Sequence, residues 1–311
     1  MHNTTNNEQT EQIERIERLK QEKNAIVLAH NYERAEVRAV ADVVGGSSGL
    51  TRAANNTSAD MIIVCGVDFM AEMASVLNSD KKVITPVQNV ICPLARRLSR
   101  NDLNMAKKEN PGAEVLLYMN SLADTIAMAD CVCTAANAIP IAGAMGGDSP
   151  IIFGPDYGVT YYLRKRTEKE IITLSANGFC PVHHTILPAD MIHAQELHPA
   201  AQVVAHPECR PEVQDRADYI GSTSGIARFC KESAETEFLV AADVGLSTML
   251  RNEAPDKTFY PISEATICER MKAPTLAKVE EALVTERFQV TVPKEIADAA
   301  RIPIERMLEL S

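Results

Sequence analysis

Three features of this sequence predict an α/β fold made of three repeated units, each with its own small parallel sheet. Short apolar runs of strand length alternate with longer amphipathic stretches, the texture of βαβ units. Three cysteines, Cys92, Cys180 and Cys268, stand 88 residues apart. The same offset, applied without gaps, aligns AIVLAHNY (25–32) with AEVLLYMN (113–120) and AQVVAHPE (201–208). An evenly spaced trio among eight cysteines is weak alone; polar and apolar columns that stay in phase with it are much harder to obtain by chance.

The chain starts with a polar tail, and residues 11–22 then place Ile13, Ile16 and Leu19 at helical spacing among charges, which reads as a surface helix. The apolar runs follow in order as AIVLAH, MIIVCG, KVITPV, EVLLYM, PIIFGP, EIITLS, QVVAHP, DYIGST, EFLVAA and KTFYPI. The repeat assigns residues 1–22 to an N-terminal tail and helix, 23–110, 111–198 and 199–286 to three αβα domains, and 287–311 to a C-terminal helical extension. His30, Tyr118 and His206 fall in one column of the repeat, and Tyr32, Asn120 and Glu208 in another. Ser47, Ala135 and Thr223 share a third, and Val64, Ile152 and Val240 a fourth.

Composition excludes several classes of function. Lys and Arg number 31 against 42 Asp and Glu, a formal charge of −11, so a nonspecific binder of nucleic acid or anionic membrane is not expected. No apolar run approaches the roughly 20 residues of a membrane span, and the start is too polar for a secretory signal. A cytoplasmic location is expected. Eight cysteines without an export signal read as core residues, metal ligands or catalytic thiols rather than a disulfide framework.

In parallel α/β units the polar groups at the carboxyl ends of strands face a ligand crevice. Three copies packed about a pseudo-threefold axis, with those ends inward, would bring equivalent residues to an active site at the central domain interface. Three thiolates from three units suit a 4Fe-4S cluster with one iron left open, a Lewis acid for carboxylate and hydroxyl oxygens. Two other readings stand beside it. The three cysteines could be small core residues, or Cys180-x-x-His183 and His206-x-x-Cys209 could form a tetrahedral zinc site. Cys65, Cys131, Cys133, Cys209 and Cys230 are otherwise expected to pack in or beside strands and helices. Tyr32 and Glu208 are the natural acid/base candidates, with His30 and His206 beside them. Ser47 and Thr223 sit in GGSSG and GSTSG segments where a loop enters a helix, positions that cap the helix, attract phosphate or carboxylate, or do both.

These residues lie in longer motifs: LAHNY (28–32), CGVDFMAE (65–72), YMN (118–120), GFCPVH (178–183), HPECRPEV (206–213), DYIGSTSG (218–225) and CERMKAPTLAKVEEAL (268–283). Together they make the chain, from about residue 24 to 310, resemble quinolinate synthase, the iron-sulfur enzyme family of de novo NAD biosynthesis. The resemblance implies three pseudosymmetric domains and a 4Fe-4S cluster on Cys92, Cys180 and Cys268, whose unligated iron binds substrate. It implies small-molecule substrates, iminoaspartate and dihydroxyacetone phosphate, condensed to quinolinate with loss of phosphate and water. An enzyme that supplies iminoaspartate is an expected partner. Tyr32, Glu208, His30 and His206 match proton-transfer positions and their neighbours. Tyr118, Asn120, Ser47 and Thr223 match positions that hold substrate carboxylates and phosphate, and Met70 lines the cavity. The chain departs from the pattern at Ala135, normally serine, at Gly46, normally Asp, at Ile126, near an expected lysine, and at Ala241, Ala242 and Asp243, normally Gly-Thr-Glu. A paralogue acting on another small acid is the alternative these departures raise.

Overall fold

A computed structural model describes residues 2–175 and 177–311. Helix α1 (His2–Glu22) leads into β1 (Ala25–His30), α2 (Ala35–Ala39), β2 (Val43–Gly45), α3 (Ser47–Asn56), β3 (Met61–Cys65), α4 (Asp68–Leu77) and β4 (Lys82–Ile84). The pattern recurs as α5 (Arg100–Glu109), β5 (Glu114–Tyr118), α6 (Ala123–Ile126), β6 (Cys131–Cys133), α7 (Ala138–Ala144), β7 (Ile151–Gly154), α8 (Tyr157–Arg164) and β8 (Ile171–Thr173). It recurs again as α9 (Pro188–Leu197), β9 (Gln202–Ala205), α10 (Pro211–Gln214), β10 (Tyr219–Ile220), α11 (Thr223–Glu232), β11 (Glu237–Ala241), α12 (Val244–Glu253) and β12 (Thr258–Pro261). Helices α13 (Leu276–Thr285) and α14 (Lys294–Glu309) close the chain.

The strands form three four-stranded parallel sheets, ordered β2-β1-β3-β4, β6-β5-β7-β8 and β10-β9-β11-β12. Each therefore places its first strand second in the sheet, so one topology occurs three times. Because helices cover parallel sheets, the central strands read as unbroken apolar runs, and β3 is buried at every residue. The sequence reading missed β2 and β6, three-residue edge strands without a long apolar run. Their position is set instead by a side chain. Asp42, Asp130 and Asp218 each accept the main-chain N–H of the residue 15 positions earlier, Val27, Val115 and Val203, at 2.7, 2.7 and 2.8 Å. Each aspartate N–H returns a bond to the same residue's carbonyl at 2.9 Å. Three identical clasps, in phase with the repeat, fix where the chain re-enters the sheet.

The chain forms two compact units: residues 1–91 with 269–297, and residues 92–268 with 298–311. The first holds the first sheet, and the second holds the other two. In the first unit α1 packs on α13, with Ile16 fully buried among Val279, Ala282 and Leu283. Arg15 pairs with Glu280 at 2.7 Å, and the buried Lys20 reaches Asp42 at 2.9 Å. Helix α1 is thus seated in the core on one side rather than lying on the surface, and it begins at His2 instead of near residue 11. No Gly or Pro interrupts the N-terminal stretch, so the helix extends outward from its packed turns. No described helix is long and apolar enough to cross a membrane.

Candidate functional site

In each sheet the first strand ends, or is followed, by the residues that the repeat singled out. In the second unit, Tyr118 closes β5, and His206 and Glu208 follow β9. Glu208 is buried. It accepts the Tyr118 hydroxyl at 2.6 Å, and the Asn120 amide is 3.4 Å from the same oxygen. Its other oxygen lies 3.0 Å from His183 Nδ1, which in turn lies 3.3 Å from Cys180 Sγ. The His183 and His206 rings stack at 4.5 Å. Burial opposes ionisation of Glu208, but the His183 hydrogen bond, the neighbouring His206 and His183 imidazoles and the Tyr118 hydroxyl outweigh it and hold the carboxyl below its usual range. Burial and the Glu208 charge push the Tyr118 phenol well up, so it stays a donor.

The turn that carries Glu208 is fixed from three sides. The Glu208 N–H donates to His206 Nδ1 at 3.2 Å, which leaves His206 Nε2 to carry the ring proton as a donor. The Gln214 amide donates to the carbonyls of Gly158, Pro207 and Cys209 at 2.9, 2.8 and 2.9 Å. Gly158 is needed here because a Cβ would sit 2.6 Å from the Pro207 carbonyl oxygen.

Two of the predicted metal ligands are presented by matching aspartates. Asp156 caps α8 through Val159 N–H at 2.8 Å and accepts the Cys180 N–H at 3.1 Å. Asp243 takes the Gly245 N–H at 2.7 Å and the Cys268 N–H at 2.6 Å. The departure from glutamate at position 243 thus leaves a carboxylate that performs this task. Asp156 was not singled out from the sequence, and Asp243 only as a departure from the family pattern; the signal for this task was an acidic residue ahead of each cysteine by 24 or 25 positions.

In the first unit, His30 closes β1, and its Nδ1 accepts the Tyr32 N–H at 3.2 Å, with the two rings edge to face at 4.8 Å. Ser47 opens α3, with Gly46 at its cap and no capping side chain. Met70 is buried in α4 beneath Gly66, where a Cβ would stand 2.9 Å from its sulfur. Thr223, in the second unit, is buried as the first residue of α11, which Ser222 caps. Ala135 lies just before α7, and Ile126, at the end of α6, is fully buried.

The donor set fits a metal centre. Cys92, Cys180 and Cys268 are partly exposed, whereas the other five cysteines are buried. Cys92 is near enough to Cys180 to act on its charge, and burial pushes the Cys180 thiol well up, so a thiolate there calls for a cation. Cys180, His183 and Glu208 offer ligand atoms within 4.8 Å of one another. His183 was read from the sequence only as part of the zinc alternative, through its Cys-x-x-His spacing. That alternative lacks its second sulfur, because the Cys209 thiol is buried and donates to the Ala241 carbonyl at 3.2 Å.

Comparison with known proteins shows the family. The family described as Quinolinate synthetase A protein matches residues 14–309. The chain is 45% identical over 291 residues to the quinolinate synthase of Methanoregula boonei, covering 94% of this chain and 95% of that one. It is 46% identical over 293 residues to that of Pyrococcus furiosus, with 94% and 95% covered. For Methanothermobacter thermautotrophicus the identity is 44% over 293 residues, with 94% and 96% covered. With its motifs, its three parallel sheets and a match over nearly its whole length, the chain belongs to the quinolinate synthetase A family of enzymes.

Proposed function

We propose that this enzyme condenses iminoaspartate with dihydroxyacetone phosphate to quinolinate, releasing phosphate and water, on a 4Fe-4S cluster held by Cys92, Cys180 and Cys268. The observation that carries the reading is the buried Glu208 carboxylate, tied to Tyr118, Asn120 and His183 beside the Cys180 thiol. The cluster, with three protein ligands, supplies an open iron that acts as a Lewis acid toward substrate oxygens.

The chain's own groups supply the rest. His30 and His206 each have Nδ1 occupied by a main-chain N–H, so each presents an Nε2–H donor to a substrate carboxylate. Tyr32 gives and takes protons at the carbons that lose water, and Glu208 takes protons through the hydrogen-bonded path to His183. Ser47 and Thr223 stand at helix starts, where free N–H groups and hydroxyls hold phosphate or carboxylate. By resemblance to the family, Met70 is a residue that contacts substrate. The three repeated domains, with boundaries near 110, 198 and 286, a cytoplasmic location and an enzyme that delivers iminoaspartate are parts of the same proposal.

Anaerobically purified or reconstituted protein should hold about four irons and four sulfides per chain and form quinolinate from the two precursors. A second reading is favoured by Ala135 and Gly46, where the family carries a serine and an aspartate: a related condensation or dehydration of another small acid. A loaded cluster without quinolinate would select it, and mass spectrometry of a co-purified ligand would identify the acid. Zinc without iron, unchanged by Cys92→Ala, would reject both.

A further inference from the structure

The turn after β1 and the segment after Cys268 hold each other by reciprocal bonds within the first unit. The Lys272 ammonium donates to the Tyr32 carbonyl, and the Arg34 guanidinium donates through Nε to the Lys272 carbonyl at 2.7 Å. Half of this clamp is general to the repeat. In the second unit Arg210, 176 residues after Arg34, donates in the same way to the carbonyl of His184, 88 residues before Lys272, at 2.9 Å. The other half belongs to the copy that carries Tyr32. His184 has no ammonium to send back; its ring stacks on Phe179 at 4.4 Å.

Glu33 marks the same place as unusual. It is 1% exposed, and among the described residues no side chain hydrogen-bonds to either carboxyl oxygen, although Lys272 and Arg34 lie close enough to act on it. An ammonium beside a carboxylate ordinarily pairs with it. Lys272 also reaches a main-chain carbonyl, that of the tyrosine expected to move protons.

We infer that Lys272 is a positioning residue for Tyr32: by binding the Tyr32 carbonyl it locks the 30–34 turn and sets the phenol for proton transfer. The inference rests on the proposed catalytic role of Tyr32, while the lock itself does not. A tyrosine displaced by about 1 Å from its working position costs on the order of 100-fold in rate. No contact of Lys272 with substrate is needed for this effect.

The test compares Lys272→Met and Lys272→Arg with the parent chain by amide hydrogen exchange and by steady-state kinetics. In Lys272→Met, exchange at the amides of Tyr32 and Glu33, which bond to His30 Nδ1 and His30 O, should rise about tenfold, while the 206–210 turn stays protected. The turnover number should fall about 10- to 100-fold with KM and iron content near parental values, and Lys272→Arg should restore both readouts to within about threefold. Unchanged exchange in the 30–34 turn overturns the lock. Raised exchange with parental kcat and pH profile overturns the positioning role. Should Lys272→Met not fold, Lys272→Arg and Lys272→Gln carry the same comparison, with parental exchange in Lys272→Gln again overturning it. If the parent chain makes no quinolinate, the functional proposal fails, and exchange alone still decides whether Lys272 holds the turn.

Discussion

The turns after β1 and β9 share a backbone and differ in chemistry. In both, a histidine accepts through Nδ1 the N–H two residues on, Tyr32 to His30 and Glu208 to His206, each at 3.2 Å. In both, an arginine follows and binds a distant carbonyl, Arg34 on Lys272 and Arg210 on His184. Between histidine and arginine the copies part: Tyr32 and Glu33 in one, Glu208 and Cys209 in the other. Cys209 gives its thiol to the Ala241 carbonyl, whereas among the described residues no side chain hydrogen-bonds to Glu33. The shared contacts fix the shape, so the chemistry of each copy can be sought in the positions that diverged.

Breaking the divergent pair should give the largest effect. Tyr32→Phe and Glu208→Gln each remove one proposed proton-transfer group while keeping its volume, and each should lower the rate of quinolinate formation by about 10²- to 10⁴-fold with the iron content unchanged. Parental turnover in both variants would mean that the diverged residues are not where the reaction happens. Glu208→Gln should also lose the close match to His183, because an amide nitrogen would then face the imidazole Nδ1 in one of its two orientations.

Glu33 sharpens the comparison through stability rather than rate. Burial raises its carboxyl from the ordinary 4.5 to about 9, against the lowering pull of Lys272 and Arg34; Glu36 adds to the rise, and the buried Cys65 thiol faces it from β3. The native protein therefore keeps a proton that the unfolded chain releases near pH 4.5, and stability falls as pH rises from about 4.5 toward 9. Glu33→Gln should remove that slope and stabilise the chain at pH 7 by on the order of 3 kcal/mol, read from denaturant midpoints at pH 5, 7 and 9. A variant less stable than the parent at pH 8 would show that the carboxylate is charged and paired.

Asp156 and Asp243 offer a smaller contrast within the second unit. Each carboxyl group joins a helix start to a cysteine N–H, so Asp156→Ala or Asp243→Ala should cost about 0.5 to 1.5 kcal/mol for each hydrogen bond lost and reduce iron retained after reconstitution. The two losses should be alike, because the two geometries are alike. A large iron loss from one variant alone would separate the cysteines in their importance to the centre.

Much of the architecture could be read in the sequence because central parallel strands must be apolar on both faces, which makes runs such as MIIVC conspicuous. Strands β2 and β6 escaped because no longer apolar run marks them, as KVITPV and EIITLS mark the equally short β4 and β8, and their clasps, Asp42 and Asp130, look like ordinary polar residues in a loop. Residues at or just beyond strand ends in repeated columns, such as His30 and Glu208, could be singled out by that periodicity. Glu33 and Lys272 were not assigned roles, and His183 only one in the zinc alternative, since a ring stacked on His206, a buried carboxyl and an ammonium on a carbonyl 240 residues away are products of tertiary packing.

The mildest expected change concerns the column of Ser47, Ala135 and Thr223. Two copies keep a hydroxyl at the first residue of a helix, and the middle copy has none. Ala135 also precedes α7 by three residues, and the start of that helix is organised by Asn137, whose Oδ1 accepts the Thr134 N–H at 2.7 Å and the Thr134 hydroxyl at 3.0 Å. A hydroxyl restored by Ala135→Ser would enter a turn already ordered, so its gain is one neutral hydrogen bond of about 1 kcal/mol, or roughly a fivefold lower KM for whichever substrate it meets. With kcat unchanged, the middle copy would prove to be a weakened binding lobe. A KM that rises instead, for the two precursors of quinolinate alone, would mean that the alanine makes room for a larger acid, because added volume in a tight pocket excludes what the smaller residue admits.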